Sequence, residues 1–267
     1  MGGSEHQGQL HQGQHRLNSH RARGALPARA RAALTTMPVE ADAERRLEIP
    51  AALALLLPHG GPRRGTTVGI GVGPVPGEVT LALSLVSAAS HAGRWVSIVG
   101  LPAMGPVAAA QLGVQLERLV LVPQPAEQWA VVTAALLESM DVVVLRPPGR
   151  VRPADARRLV ARTREREAVL VVLGGGWPEG VDLRLTVTRA AWEGLEGGHG
   201  LLRARKAEVA VSGRRAGGGD RRGWLWLPGP DGKVGSSEPA EPADPAGSVI
   251  PVMIPAPAPA MIPEAVG

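Results

Sequence analysis

A chain of 267 residues with no cysteine, 44% hydrophobic and 2% aromatic, has room for one folded domain of about 180 residues plus tails, and cannot build a disulfide framework or a thiolate metal site. No apolar run approaches the roughly 18 residues of a membrane helix, so no membrane partner is expected and the chain reads as cytoplasmic. The net charge of +5 is carried by arginine, Lys206 and Lys233 being the two lysines among 29 basic residues; with abundant Ala, Gly and Pro and neither Phe nor Tyr, this skew reflects GC-rich codon usage rather than function.

Residues 1–36 hold almost no large apolar side chains and five arginines against Glu5, the composition of a disordered basic segment. His6, His11, His15 and His20 are spaced as solvated tail residues rather than as a metal site. Met37 precedes a plausible helix over 39–57, part of a lead-in over 37–65, and could itself be the true start in place of Met1. A turn over 59–65, HGGPRRG, then feeds the first strand.

The stretch 68–89, VGIGVGPVPGEVTLALSLVSAA, reads as an apolar strand, a Gly/Pro turn and a long apolar helix, which is the layout of a phosphate-binding loop. In a working loop, glycines let backbone N–H groups cradle phosphates, a lysine reaches the outer phosphates and a hydroxyl holds magnesium. With Gly77 as the second glycine, Glu78 occupies the lysine position and Val79 the hydroxyl position, and the spacing from Gly73-Pro74 is one residue short. A carboxylate there repels a triphosphate. The element reads as a nucleotide-loop relic with no cofactor.

Downstream, apolar runs at 95–99, 119–122, 142–145 and 169–173 alternate with helical stretches at 80–92, 106–112, 127–140 and 153–167. Continuous Val/Leu runs are what a parallel sheet buried on both faces requires, so the fold class is α/β with a mainly parallel sheet. Beyond Gly174 the pattern turns to alternation, at 183–188, 201–212 and 224–227, which predicts antiparallel strands extending one edge. The core is expected over 66–228, and residues 229–267, rich in Pro and with five acidic residues against Lys233, as a disordered acidic tail.

Several residues in order carry a family resemblance over roughly 55–228. The turn at 57–65, Gly73-Pro74 with the following helix, the AQLGV at 110–114, the QPAEQ at 124–128 and the DVVVL at 141–145 together resemble a RecA-like P-loop core, and most closely the actinobacterial ImuA-like accessory proteins of damage-induced mutagenesis. Where such a core ends its fourth strand on a magnesium-organising acid, this chain has Arg146. Its second strand leads into GLPAMG at 100–105, with no carboxylate to activate water. Phosphoryl transfer needs lysine, magnesium and a water-positioning group together, so the expectation is a protein without enzymatic activity.

The resemblance implies a non-catalytic adaptor in the SOS response that assembles an error-prone translesion polymerase complex. Its implied partners are a Y-family polymerase-like protein and an error-prone replicative-type polymerase, with RecA itself as a further one, and it would join the nucleoid on damage. A SulA-like cell-division inhibitor and a weak DNA-binding RecA-related ATPase are the alternatives. Two arginine groups bear on DNA. Those at Arg150, Arg152, Arg157, Arg158, Arg162, Arg164 and Arg166, interleaved with acids, read mostly as a solvated helix face. Arg214, Arg215, Arg221 and Arg222 read as a flexible loop between two strands whose guanidiniums could reach phosphates without base readout. In the tail, Met253, Ile254, Met261 and Ile262 lie among prolines that favour an extended form suited to a partner's apolar groove.

Overall fold

The computed structural model describes residues 45–196, 199–215 and 219–238. The order of elements is α1 (Ala51–Leu56), β1 (Thr67–Gly71), α2 (Glu78–His91), β2 (Val96–Val99), α3 (Pro106–Gln111), β3 (Leu119–Val122), α4 (Trp129–Leu136), β4 (Val142–Leu145), α5 (Pro153–Glu165), β5 (Val169–Leu173), β6 (Leu183–Glu196), β7 (His199–Ser212), β8 (Arg221–Trp226) and β9 (Gly235–Ser236). Nine strands form one sheet in the order β3-β2-β4-β5-β1-β6-β7-β8-β9. The pairings from β3 through β6 are parallel and those from β6 to β9 antiparallel. The expected α/β class with an antiparallel extension is therefore present.

The physical reason is legible strand by strand. In β4, Val142 and Val144 enter one apolar cluster with α2, while Val143 and Leu145 enter a second with α4 and α5. Both faces are covered, so no polar residue interrupts the run. In β6 to β8, Leu183, Leu185, Val187, Ala207, Val209, Val211 and Leu225 all enter the first cluster, and the intervening residues are polar or only half-buried. One-sided burial produces the period-two pattern. Gly223 on β8 is required by packing: a Cβ there would overlap the Leu56 side chain of α1.

Three boundaries differ from expectation. A single helix over 39–57 is not what forms in its described part, because Pro50 stands at the N-cap of α1 and residues 45–50 run non-helically, with Arg46 bridged antiparallel to Arg63. This segment is stapled to the body by Glu48, which accepts from Arg94 Nη2 at 2.8 Å, and by Asp141, which accepts from Arg64 Nη2 at 2.8 Å and from the Trp95 backbone N–H at 3.0 Å. The Arg94 guanidinium holds the Glu48 carboxyl below the usual carboxylate range.

The antiparallel strands are also longer than predicted. β6 and β7 each run for 14 residues. Since β6 leaves the end of β1 at the Gly71–Thr186 pair, ten residues of hairpin arm continue past the carboxyl edge of the parallel sheet.

The third difference concerns the tail. Order does not stop at residue 228: the Gly229 N–H donates to Lys233 O at 2.7 Å, and β9 then pairs Gly235 with Trp226 and Ser236 with Leu225. Pro-rich composition hid a short edge strand closed by a local turn. A chain ending at Pro228 is therefore expected to melt below one ending at Glu238, by about 1–2 kcal/mol of lost pairing and packing, read by thermal denaturation. Equal melting temperatures would show that β9 adds nothing.

Among the described residues no helix is long and apolar enough to cross a membrane, and no group of three or more His, Asp or Glu could hold a metal. The histidines at 6, 11, 15 and 20 and the apolar tail residues Met253, Ile254, Met261 and Ile262 lie outside the described residues.

Candidate functional site

β1 lies between β5 and β6, and its carboxyl end opens into the loop 72–77 and then α2. In parallel sheets this edge is where ligands bind, because loops there are free of the packing that holds strands and helices together. A cleft of about 590 Å³ forms at this point, walled by the loop and by Glu78, Val79, Arg146, Val187 and Arg205. All six residues singled out in and around the Gly/Pro loop, Gly73, Pro74, Gly77, Glu78, Val79 and Arg146, line it.

Glycine is needed at both ends of the loop. A Cβ on Gly73 would overlap the Val187 backbone carbonyl of β6, and Gly77 sits at φ 150° with an Arg205 nitrogen 2.8 Å from where its Cβ would stand. Hence the hairpin closes onto the loop at these two positions, leaving no room there for a side chain.

The two departures noted in the sequence meet in space. Arg146 Nη2 donates to Glu78 Oε1, joining the first residue of α2 to the residue that follows β4. A working nucleotide site has the opposite arrangement, a cation after the loop and an acid after the fourth strand. Here the loop is followed by an acid and β4 by a cation, and each residue neutralises the other.

Arg205 was not anticipated. It belongs to β7, shares the sheet face of Ala207, Val209 and Val211, and is 6% exposed. Its Nη2 donates to the Pro76 carbonyl, its Nε has no acceptor, and the Trp192 ring centroid lies 5.7 Å from its guanidinium carbon. Burial pushes the Arg205 pKa down from its ordinary value. A usable signal was present: counting by two from Val211 through Val209 and Ala207 puts an arginine on an apolar face. The cation reaches the loop from a distant strand, as an arginine.

The four arginines expected in one flexible loop are not arranged so. Arg214 Nη2 donates to Gly180 O at 3.0 Å, and Arg215 lies 3.3 Å from Asp182, whose other oxygen accepts the Thr67 N–H at 2.9 Å. Arg221 and Arg222 stand in β8 opposite Val211 and Ala210, consecutive in a strand and so on opposite faces. The α5 arginines are partly neutralised: Arg162 and Arg166 pair with Glu138, and Arg157 with Glu179 at 3.5 Å. Trp226 packs beneath Lys206, its ring centroid 5.0 Å from Nζ.

Residues 55–179 match the family model described as the MT3502 N-terminal domain. The uncharacterized protein Rv3395c of Mycobacterium tuberculosis is 40% identical over 123 residues, which is 46% of this chain and 60% of that relative. The chain thus aligns with less than two thirds of the relative's length. The family match includes the loop, Glu78 and Arg146 and ends before β6, so Arg205 and Trp192 lie outside it.

Proposed function

We propose that this chain is a non-catalytic RecA-like adaptor of the DNA-damage response, one that helps assemble an error-prone translesion polymerase complex. The observation that carries the non-catalytic part is the Glu78–Arg146 pair. A carboxylate fills the lysine position and an arginine the magnesium-organising position, and pairing removes both from phosphate or metal chemistry. Support for a P-loop ancestry comes from the central β1, the Gly/Pro loop and the long helix at the carboxyl edge of parallel strands. The damage-response role rests on the ordered resemblance to ImuA-like proteins, and with it the Y-family polymerase-like and replicative-type polymerase partners. Nucleic-acid binding, on this reading, is weak and sequence-independent, through arginines spread over several faces.

Calorimetric titration with Mg·ATP is expected to give no binding. A micromolar affinity would overturn the reading, and Glu78→Lys alone is not expected to create one, because Val79 supplies no hydroxyl and the loop stays a residue short. Pull-down of the full chain from DNA-damaged cells is expected to recover the two polymerases. Recovery of a division GTPase in their place would favour the SulA-like alternative.

A further inference from the structure

The cleft that no longer suits a nucleotide retains a one-charge deficit. α2 has no side-chain cap, and its first internal acceptor, Gly77 O, receives the Leu81 N–H, leaving the Glu78, Val79 and Thr80 amides at the cleft wall without acceptors among the described residues. The positive end of a 14-residue helix therefore opens into this space. Beside it sits Arg205, buried, with an unpartnered Nε and no carboxylate pair among the described residues. A buried cation at the positive end of a helix is unfavourable twice over, by desolvation and by like charge. The two guanidiniums and one carboxylate lining the cleft leave a single positive charge. That balance suits one carboxylate and is poorly matched to a triphosphate.

The rim bears on the source of that carboxylate. Val72, 70% exposed, and Trp192, 48% exposed and stacked on Arg205, put apolar surface around the charged floor. A buried arginine beside an exposed tryptophan and valine is the composition of a protein-binding hot spot rather than of a small-ion site. We propose that this cleft is the receptor for an acidic side chain of a partner protein, held between the α2 amides and Arg205 and flanked by apolar residues that pack on Trp192 and Val72. This deepens the adaptor reading and rests on it: the loop that once would have held phosphate holds a partner's carboxylate.

The test is an amide NMR titration of the full chain with four probes: the tripeptide acetyl-Leu-Asp-Leu-amide, its Leu-Asn-Leu counterpart, inorganic phosphate and Mg·ATP. The Asp peptide is expected to shift the Val79 and Thr80 amides and the Trp192 indole saturably, and the Asn peptide to bind about tenfold more weakly, the loss of one charge-assisted hydrogen bond. Arg205→Met is expected to abolish the response while leaving the melting temperature equal or higher, since a buried unpaired charge is removed. Trp192→Ala, at an exposed site, provides a second variant, expected to weaken the Asp peptide and leave phosphate unchanged. Equal response to both peptides, no response, a full response in R205M, or phosphate binding as well as the Asp peptide would overturn the proposal. Micromolar Mg·ATP shifts would instead overturn the non-nucleotide reading on which it rests.

Discussion

Gly73→Ala is expected to destabilise the domain by about 3 kcal/mol or more, and so to lower its melting temperature by about 6–12 °C. The added methyl would stand inside the van der Waals radius of the Val187 carbonyl, which lies one residue past the last β6 pair with β1 and belongs to backbone held by the Val187–Val209 pair with β7. Strand backbone cannot swing away as the end of a flexible side chain could, so either the loop or the β6–β7 ladder must shift. Gly105→Ala is the control: nothing lies within 4 Å of its added Cβ, and its φ of −80° suits any residue. If G73A and G105A melt together, the loop and hairpin are not in contact as described. The same experiment bears on the cleft, since a loop displaced from β6 also releases Pro76 from Arg205.

The second large effect is a charge-reversal cycle. Arg146→Glu places two carboxylates against each other and Glu78→Arg two guanidiniums; each single variant is expected to lose about 2 kcal/mol, from a lost ion pair and a new like-charge contact. The double swap is expected to recover most of it. Both side chains keep some water contact, 37% exposed for Arg146 and 22% for Glu78, so the attraction itself is worth only about 1 kcal/mol and most of the cycle is relief of repulsion. Strict additivity of the two single losses would mean the residues do not touch. Recovery would establish the pairing. The double variant also restores the cation-then-acid order of a working site, yet Val79 still offers no hydroxyl, so ATP binding is not expected to return with stability.

Much of the parallel half was determined by the sequence alone, because in that half local and global demands agree. Runs such as VVVL at 142–145 and VLVVL at 169–173 are buried on both faces, and each stands as a strand at those bounds. The Gly/Pro loop between strand and helix was equally readable, since Gly73, Gly77 and Glu78 are neighbours in the chain. Elsewhere the deciding contacts are distant. The Arg46–Arg63 bridge sets the path before β1 through pairing that no periodicity reports, and β9 exists because β8 offers it an edge. The hairpin's length came from mutual pairing of β6 and β7 rather than from either strand's apolar content.

The cleft divides along the same line. That Glu78, Val79 and Arg146 are not a lysine, a hydroxyl and an acid is a property of single positions, read directly from the chain. That Glu78 and Arg146, 68 residues apart, neutralise each other was decided only by the parallel order of β1, β5 and β4, which brings the carboxyl ends of those strands to one edge. Arg205, 129 residues from Pro76, reaches the loop only because β6 runs parallel to β1 and the hairpin then returns antiparallel along it. Ionic pairing depends on distance through space, and for residues this far apart in sequence that distance is set by strand order.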